Sequence, residues 1–211
     1  MKKEKTKKKK GTIWIGMGLL LVAAALSLTI YNVMDNRRSQ ASAQAASDQL
    51  ARLIPETEPQ GFVPEAEAEI PDYILNPDMD MPVTQIDGQD YIGELSIPCL
   101  DLSLGVISEW SYPRLRISPC RYRGSAYKDD LIIAAHNHSS HFGQLKTLSP
   151  GDRVDFTDMD GNEFHYEVAL VETLEPTALE EMEAGDWDLT LFTCTIGGSY
   201  RVTVRCERVG E

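Results

Sequence analysis

Two alternating runs near the end of the chain predict a hairpin that brings a thiol next to a guanidinium. Residues 189–194 and 200–208 alternate in the period-2 manner of half-buried strands, and Gly197-Gly198 between them can adopt the positive φ angles of a tight turn. A hairpin centred on the two glycines places Cys194 opposite Arg201, with Cβ atoms about 4.5–5.5 Å apart. A permanent cation beside a cysteine stabilises the thiolate or an anionic intermediate, so Cys194 is a candidate nucleophile.

The same register predicts which face of the hairpin is buried. Side chains alternate between the two faces of a strand, so an apolar set falls on the face opposite Cys194 and Arg201. This set suits a hydrophobic core, which leaves the thiol and the guanidinium on the outer face. Its members are Leu189, Leu191, Thr193, Val202, Val204 and Cys206.

A nucleophilic cysteine needs a partner that carries protons, and the histidines suggest one. Three of the four histidines of the chain lie within residues 136–141, directly after the apolar strand predicted at Leu131–Ala135. His136 is the first residue beyond that strand, where a rigid element can present a catalytic side chain. We therefore take His136 as the candidate general acid and base.

These residues resemble the motifs of one enzyme family. The run Thr190-Leu191-Phe192-Thr193-Cys194 is similar to the TLxTC signature of sortases, the cysteine transpeptidases of Gram-positive cell surfaces. In that family an arginine begins the next strand and a histidine ends an earlier one, which matches Arg201 and His136. The segments 91–98 and 142–145 also resemble sortase segments, and the similarity covers roughly residues 86–209.

The resemblance implies a fold and a reaction. The fold is all-β, a sortase-like closed barrel of about eight strands with short helices, preceded by one N-terminal transmembrane helix and a stalk. Cys194 would cleave a Pro-containing C-terminal sorting signal of an exported protein through a thioester, and an amine of peptidoglycan or a pilin lysine would accept the acyl group. His136 would transfer protons, Arg201 would bind the carbonyl and the oxyanion, and no metal or organic cofactor is required.

The sortase class stays open at this point. Many sortases have glycine before the histidine, whereas this chain has Ala135. Asn137 after the histidine resembles class B enzymes, but residues 171–189 are too few for the long inserted helix of that class. The recognised motif and the acceptor amine are equally open.

The N-terminus predicts a membrane anchor. Residues 2–10 contain seven lysines, and residues 11–34 are 24 residues without a charge. At about 1.5 Å per residue this stretch spans a bilayer, and the lysines favour a cytoplasmic N-terminus with an extracellular catalytic domain. A cleavable signal peptide is the alternative, because small residues at 41–45 form acceptable cleavage sites; the long apolar run and the charges of residues 35–38 favour the uncleaved anchor.

Charge argues against nucleic acid as a partner. Residues 41–211 hold 11 basic and 31 acidic side chains, a formal net charge of −20. Such a field repels polyanions. We interpret the acidic charge as serving solubility; the alternative is a mild attraction of cationic amines. The lysine-rich N-terminus is explained by membrane topology.

Composition predicts four segments, and strand signals dominate the last. From Pro55 to Pro82 there are six prolines among many acidic residues, which is typical of an extended spacer. A capping box at Thr177–Glu180 predicts the start of one short helix. The resemblance to sortases implies that the connection around it, residues 172–187, selects the substrate. The segments are 1–10, cytoplasmic and basic; 11–34, transmembrane; 35–85, an Ala-rich and then Pro- and acid-rich stalk; and 86–211, the catalytic domain.

Three further interpretations of single features remain. Cys99 and Cys120 either form a disulfide or stay as free thiols, and the sequence does not decide between these. The spacing of His136, His138 and His141 resembles that of zinc hydrolases, although an aspartate of their signature is replaced by Ser140. A membrane-tethered, non-catalytic surface module is the other alternative function.

Overall fold

The computed structural model describes residues 4–55, 70–185 and 187–210 of the chain. The chain forms two compact units, residues 1–38 and 39–211. Helix α1 (Glu4–Leu53) contributes residues to both units. In the first unit, α1 contains the uncharged stretch Gly11–Met34, whose 24 residues are apolar and long enough to cross a membrane. An apolar helix of this kind is consistent with the predicted anchor and also with a signal sequence.

The second unit is a closed, mixed β-barrel, as predicted. Eight strands follow the order β2-β3-β4-β5-β8-β9-β7-β6, and β6 pairs with β2 to close the barrel. A ninth short strand, β1, extends β2 as a hairpin. The strands are β1 (Thr84–Ile86), β2 (Gln89–Ile97), β3 (Leu102–Ile107), β4 (Cys120–Arg123), β5 (Leu131–Ala135), β6 (Arg153–Asp158), β7 (Glu163–Leu174), β8 (Leu189–Cys194) and β9 (Arg201–Arg208).

The helices that follow α1 are short and lie in the connections. The described α-helices are α2 (Asp72–Leu75), α3 (Tyr112–Leu115) and α4 (Leu179–Glu183). The capping box predicted at Thr177 is wrong, because α4 begins after Ala178 and has no side-chain cap. A backbone turn replaces the cap: the amide of Ala178 donates to the carbonyl of Glu175 at 3.1 Å, and the amide of Leu179 donates to the carbonyl of Thr177 at 2.9 Å.

The barrel interior is filled by alternate residues of its strands. Six of the core side chains that are fully buried are Leu95, Ile133, Phe156, Phe164, Leu191 and Val204. The face predicted to be apolar for the last two strands is buried, with Leu189 and Cys206 at 0% exposure and Thr193 at 2%. Apolar burial of this kind is the main driving force for closing the barrel.

Part of the predicted stalk packs on the outside of the barrel. Ala43, Ala46 and Leu50 of α1 are buried, and the hydroxyl of Ser47 donates to the carbonyl of Ser103 at 3.1 Å. Gly105 on β3 allows this approach, because a Cβ at that position would collide with Leu50. The Pro-rich spacer predicted from Pro55 begins after this helix, and its residues 56–69 lie outside the described residues.

The sequence analysis did not predict β1 and β4. Both strands are short, with three and four residues, so neither shows enough alternation to be separated from a turn. The β5 prediction matches the observed bounds, and the runs predicted at 189–194 and 200–208 are observed as β8 (Leu189–Cys194) and β9 (Arg201–Arg208).

Candidate active site

The last two strands adopt the predicted register. Cys194 pairs with Arg201, Thr193 with Val202, and Leu191 with Val204. Both Cys194 and Arg201 are partly exposed on the outer face of the barrel, whereas their neighbours Thr193 and Val204 face the core. Gly197 and Gly198 have φ angles of 85° and 75°, which the turn between the strands requires.

His136 reaches the same place through a parallel strand pair. β5 and β8 run side by side, and Ala135, the last residue of β5, pairs with Thr193. The hydroxyl of Thr193 donates to the carbonyl of Ala135 at 2.8 Å, which fixes the two strand ends to each other. His136 and Cys194 are the next residues along these strands. The register therefore brings His136, Cys194 and Arg201 to one end of the barrel, where β5, β8 and β9 are neighbours.

Arg201 is held by the hairpin loop. Its Nη1 donates to the carbonyl of Gly198 at 3.0 Å and to that of Tyr200 at 3.1 Å. Within the described residues no carboxylate forms an ion pair with Arg201. A guanidinium carries five N–H donors, so Arg201 keeps donors beyond those that bond the loop carbonyls, on a residue paired with Cys194. Such a group can bind a carbonyl oxygen and the negative charge that develops on it.

The segment after His136 folds back as a compact turn. The amide of Phe142 donates to the carbonyl of His136 at 3.2 Å, and the amide of Gly143 donates to the carbonyl of His138 at 2.8 Å. Phe142 and Leu145 are fully buried and close this end of the barrel. Their burial anchors the turn, so His136 is presented from a fixed loop.

The three clustered histidines have different environments. The ring centroids of His136 and His138 are 5.4 Å apart, and His136 and His138 are both partly exposed. His141 is 1% exposed, and neither of its ring nitrogens has a hydrogen-bond partner. Burial, followed by repulsion from His138 and His136, lowers the pKa of His141 to about 4. His141 is therefore a neutral, structural side chain near pH 7.

The zinc-hydrolase interpretation finds no support in this arrangement. In the part of the chain that the structure describes, no group of three or more His, Cys, Asp or Glu side chains is placed to hold a metal ion. The side chain of His141 is 1% exposed, so its ring is closed to solvent.

The four cysteines are free thiols. Cys99 is exposed, whereas Cys120 is buried, and no disulfide joins them. Burial raises the pKa of Cys120 and that of Cys206 to about 12 in each case. Among the cysteines, Cys194 alone lies partly exposed beside a guanidinium and a histidine, which are the groups that favour thiol chemistry.

Two features of the outer face were not found by the sequence analysis. A row of aromatic side chains leads away from the site: Phe192 packs edge-on against Tyr122 with ring centroids 5.3 Å apart, and Tyr122 contacts Trp110 at 5.7 Å. Arg205 pairs with Thr190 in the same ladder and is buried at 2% exposure. The register rule that pairs Cys194 with Arg201 also pairs Arg205 with Thr190 and would have placed both on this face.

A cavity of about 280 Å³ lies behind the site at the end of the barrel. Most of its lining residues adjoin His136, Cys194 or Arg201 in the chain, or belong to the turn that follows His136. They are Asn137, Phe142, Gly143, Lys146, Thr193, Thr195, Ile196 and Val202.

Comparison with known proteins identifies similar chains. The family model of the sortase domain matches residues 95–209. Sortase C1 from Streptococcus agalactiae is 27% identical, with a TM-score of 0.53, and the match covers 60% of this chain and 72% of that one. No curated protein sequence matches the chain.

Two other solved structures show the same fold at lower identity. Sortase C from Streptococcus pneumoniae is 22% identical with a TM-score of 0.53, over 84% of this chain and 90% of that one. A sortase D5 transpeptidase from Clostridium perfringens is 20% identical with a TM-score of 0.51, over 57% of this chain and 80% of that one. These three structures are thus sortase C and sortase D proteins.

Proposed function

Since this chain belongs to the sortase family, we propose that it is a cysteine transpeptidase with Cys194 as its nucleophile. The observation that carries the proposal is the register of three neighbouring strands, which sets Cys194 opposite Arg201 and sets His136 directly after the residue that pairs with Thr193. The substrate would be an exported protein with a Pro-containing C-terminal sorting signal. We take this substrate class from the family resemblance.

The proposed reaction has two halves that use the same groups. The sulfur of Cys194 attacks the carbonyl carbon of the scissile peptide bond, and the oxygen becomes an oxyanion facing the guanidinium of Arg201. His136 takes the proton of the Cys194 thiol and gives it to the leaving amine as the C–N bond breaks, and a thioester remains. The nitrogen of an acceptor amine then attacks the thioester and loses a proton to His136, and the C–S bond breaks as the proton returns to the sulfur of Cys194.

Arg201 supports the charged intermediate in this scheme. Its bonds to the carbonyls of Gly198 and Tyr200 hold the guanidinium before substrate binds, so little reorganisation is needed as the oxyanion forms. Preorganised donors of this kind contribute about 10²–10³ in rate. Thr193 contributes indirectly, because its side chain bonds the carbonyl of Ala135 and so positions the end of the strand.

The chain is proposed to work at a membrane. With Gly11–Met34 as an uncleaved anchor and the lysine-rich segment in the cytoplasm, residues 39–211 would face the cell exterior. The acceptor would be an amine of peptidoglycan or a pilin lysine on that side. Nucleic acid is not a proposed partner, in keeping with the acidic charge of the exported part.

The proposal is tested by trapping the thioester. The full-length chain in detergent is incubated with a pool of Pro-containing pentapeptide sorting signals, and intact-protein and peptide mass spectrometry identify the acyl group on Cys194. We expect one signal class to give an adduct at Cys194 that an added amine removes. If Cys194 stays unmodified by every signal while the barrel is folded, the proposal is wrong.

A further inference from the structure

The cavity at the end of the barrel adjoins both proposed reacting groups. Thr193 and Thr195, the residues on either side of Cys194, line it, and so does Asn137, the residue after His136. Consecutive Cα atoms are about 3.8 Å apart, so the cavity begins one residue from the proposed nucleophile and one residue from the proposed acid and base. A molecule bound there is a neighbour of the thioester that the proposed reaction forms.

The cavity lies on a different side of the hairpin from the thiol. Thr193 and Val202 form a cross-strand pair and both line the cavity. The next pair, Cys194 with Arg201, faces the outer side of the barrel, because successive side chains of a strand point to opposite faces. A transpeptidase brings two substrates to one thioester. With the signal peptide on the outer face, the cavity offers a separate place for the acceptor.

The size and the walls of the cavity suit a small acceptor with an alkyl chain. Its volume of about 280 Å³ is near the lower end of the range of about 300–1,000 Å³ for small-molecule sites. Phe142, Ile196 and Val202 supply apolar wall. Ile196 is 92% exposed, so an apolar side chain stands in solvent beside the cavity. An alkyl chain that enters the cavity would cover part of it.

One cation lines the cavity. Of the described lining residues, Lys146 alone carries a charge. No carboxylate pairs with Lys146 within residues 4–55, 70–185 and 187–210. The surrounding region, residues 41–211, holds 11 basic and 31 acidic side chains, so a cation without a carboxylate partner stands out against the charge around it. An ammonium repels a purely cationic acceptor and attracts one that also carries a carboxylate.

Asn137 supplies the complementary polar group. A lysine ammonium only donates hydrogen bonds, whereas a side-chain amide also accepts them through its oxygen. An acceptor with an amine and a carboxylate on one carbon can donate from its nitrogen to the oxygen of Asn137. Its carboxylate can accept a charge-assisted bond from Lys146. The amine then lies beside the residue that follows His136, the group that removes its proton.

We propose that this cavity is the acceptor site and that Lys146 selects an amine with a carboxylate on the same carbon. The inference rests on the proposed function and deepens it by naming the acceptor class. An amino-acid end group of peptidoglycan has this chemistry. A pilin lysine does not, because its carboxyl group is part of a peptide bond. The covalent step is unchanged: the acceptor nitrogen bonds the acyl carbon, the C–S bond breaks, and the proton passes through His136 to the sulfur.

The experiment measures how the thioester is resolved. Full-length chain in detergent is acylated by the signal peptide that modifies Cys194, and mass spectrometry follows transfer to three amines at equal concentrations of unprotonated amine. They are diaminopimelate, its diamide, and Nα-acetyl-lysine amide as the model of a pilin lysine. We expect kcat/KM to be about tenfold higher for diaminopimelate than for either amide, equivalent to about 1.4 kcal/mol.

Two variants of Lys146 and one control test the assignment. Lys146 is exposed, so its replacement should leave the fold intact. Lys146→Gln should remove the preference for diaminopimelate, and Lys146→Glu should reverse it, with the rate of acylation by the signal peptide unchanged in both. Lys128→Gln is the matched control, since Lys128 precedes β5 and pairs with Asp78 outside the cavity. It should keep the preference of the wild-type chain.

Every other outcome overturns the proposal. Equal rates with the three amines, or a preference that survives in Lys146→Gln, show that Lys146 does not select the acceptor. Loss of the preference in Lys128→Gln shows a general effect of charge, and slower acylation in Lys146→Gln assigns the cavity to the signal peptide. If the wild-type chain is never acylated, the proposed function fails. Methyl NMR then tests the cavity alone: diaminopimelate should shift the Ile196 resonance in the wild-type chain and not in Lys146→Gln, and an unshifted resonance rejects the site.

Discussion

Ala135 and Thr193 are paired across two parallel strands, and the threonine hydroxyl donates to the alanine carbonyl at 2.8 Å. This contact lies inside the barrel, yet it fixes which residues are neighbours on the outer face. Because Ala135 and Thr193 are paired, the next residues of the two segments lie side by side: His136, directly after β5, and Cys194, the last residue of β8. The position of the proposed acid and base relative to the nucleophile is thus a property of the strand register.

Replacement of the nucleophile should abolish acyl transfer. Cys194→Ala removes the sulfur of the residue paired with Arg201, and we expect no adduct by mass spectrometry and an unchanged thermal unfolding midpoint, since Cys194 is partly exposed. Cys99→Ala is the matched control, because Cys99 is an exposed cysteine outside the site. Adduct formation that persists in Cys194→Ala, or is lost in Cys99→Ala, contradicts the assignment.

Arg201→Lys should be almost as damaging as loss of the nucleophile. The ammonium keeps the charge but lacks the planar fork that both holds the loop carbonyls and faces the oxyanion. We expect kcat for signal-peptide cleavage to fall about 10²–10³-fold. Arg153→Lys, at an exposed arginine paired with Asp155 on β6, should leave kcat unchanged. A kcat within the range of the control would remove Arg201 from the mechanism.

Replacing each of the three clustered histidines by alanine should cause a different defect. His136→Ala should abolish turnover in a folded chain, because it removes the proposed acid and base. His138→Ala should be mild. His141→Ala should lower thermal stability, since it empties a buried position, while the kcat per folded molecule remains close to that of wild type. Equal losses of kcat in all three variants would count against His136 as the sole proton carrier.

The stability of the barrel should fall in acid because of His141. Its pKa in the folded chain, about 4, lies below the ordinary value of 6.5, so unfolding takes up a proton between these values. The stabilising contribution is therefore complete above about pH 6.5 and is lost progressively toward pH 4, by about 3 kcal/mol in all. Denaturant unfolding at a series of pH values checks this, and His141→Phe should flatten the pH dependence where His138→Phe does not.

Thiol labelling should distinguish two accessible cysteines from two buried ones. Cys120 and Cys206 are buried, so solvent does not reach them. Burial also raises the pKa of each thiol to about 12, so neither is ionised at pH 8. A maleimide should label Cys99 and Cys194 in the native chain and all four cysteines in guanidinium, as counted by mass spectrometry. Only two labelled sites in unreduced, denatured chain would reveal a disulfide.

Much of the candidate site could be predicted from local patterns. The spacing of Cys194 and Arg201 around two glycines defines a hairpin register, and a period of two residues then decides which side chains face the core. The same patterns gave β5 its bounds and placed His136 at its end. Local patterns failed for β4, which has four residues, and for the capping box at Thr177, where α4 begins after Ala178 without a side-chain cap.

The sequence by itself determined the candidate groups and the N-terminal segment: a thiol, a guanidinium and an imidazole at predicted strand ends, and an apolar N-terminal run. Only the tertiary structure decided how β5 and β8 align, that α1 packs on β3 at Gly105, and that Arg205 lies buried beneath α4. These relationships join residues far apart in the chain. Their energies come from burial and from hydrogen bonds that exist only when the barrel is closed, so no local pattern of residues encodes them.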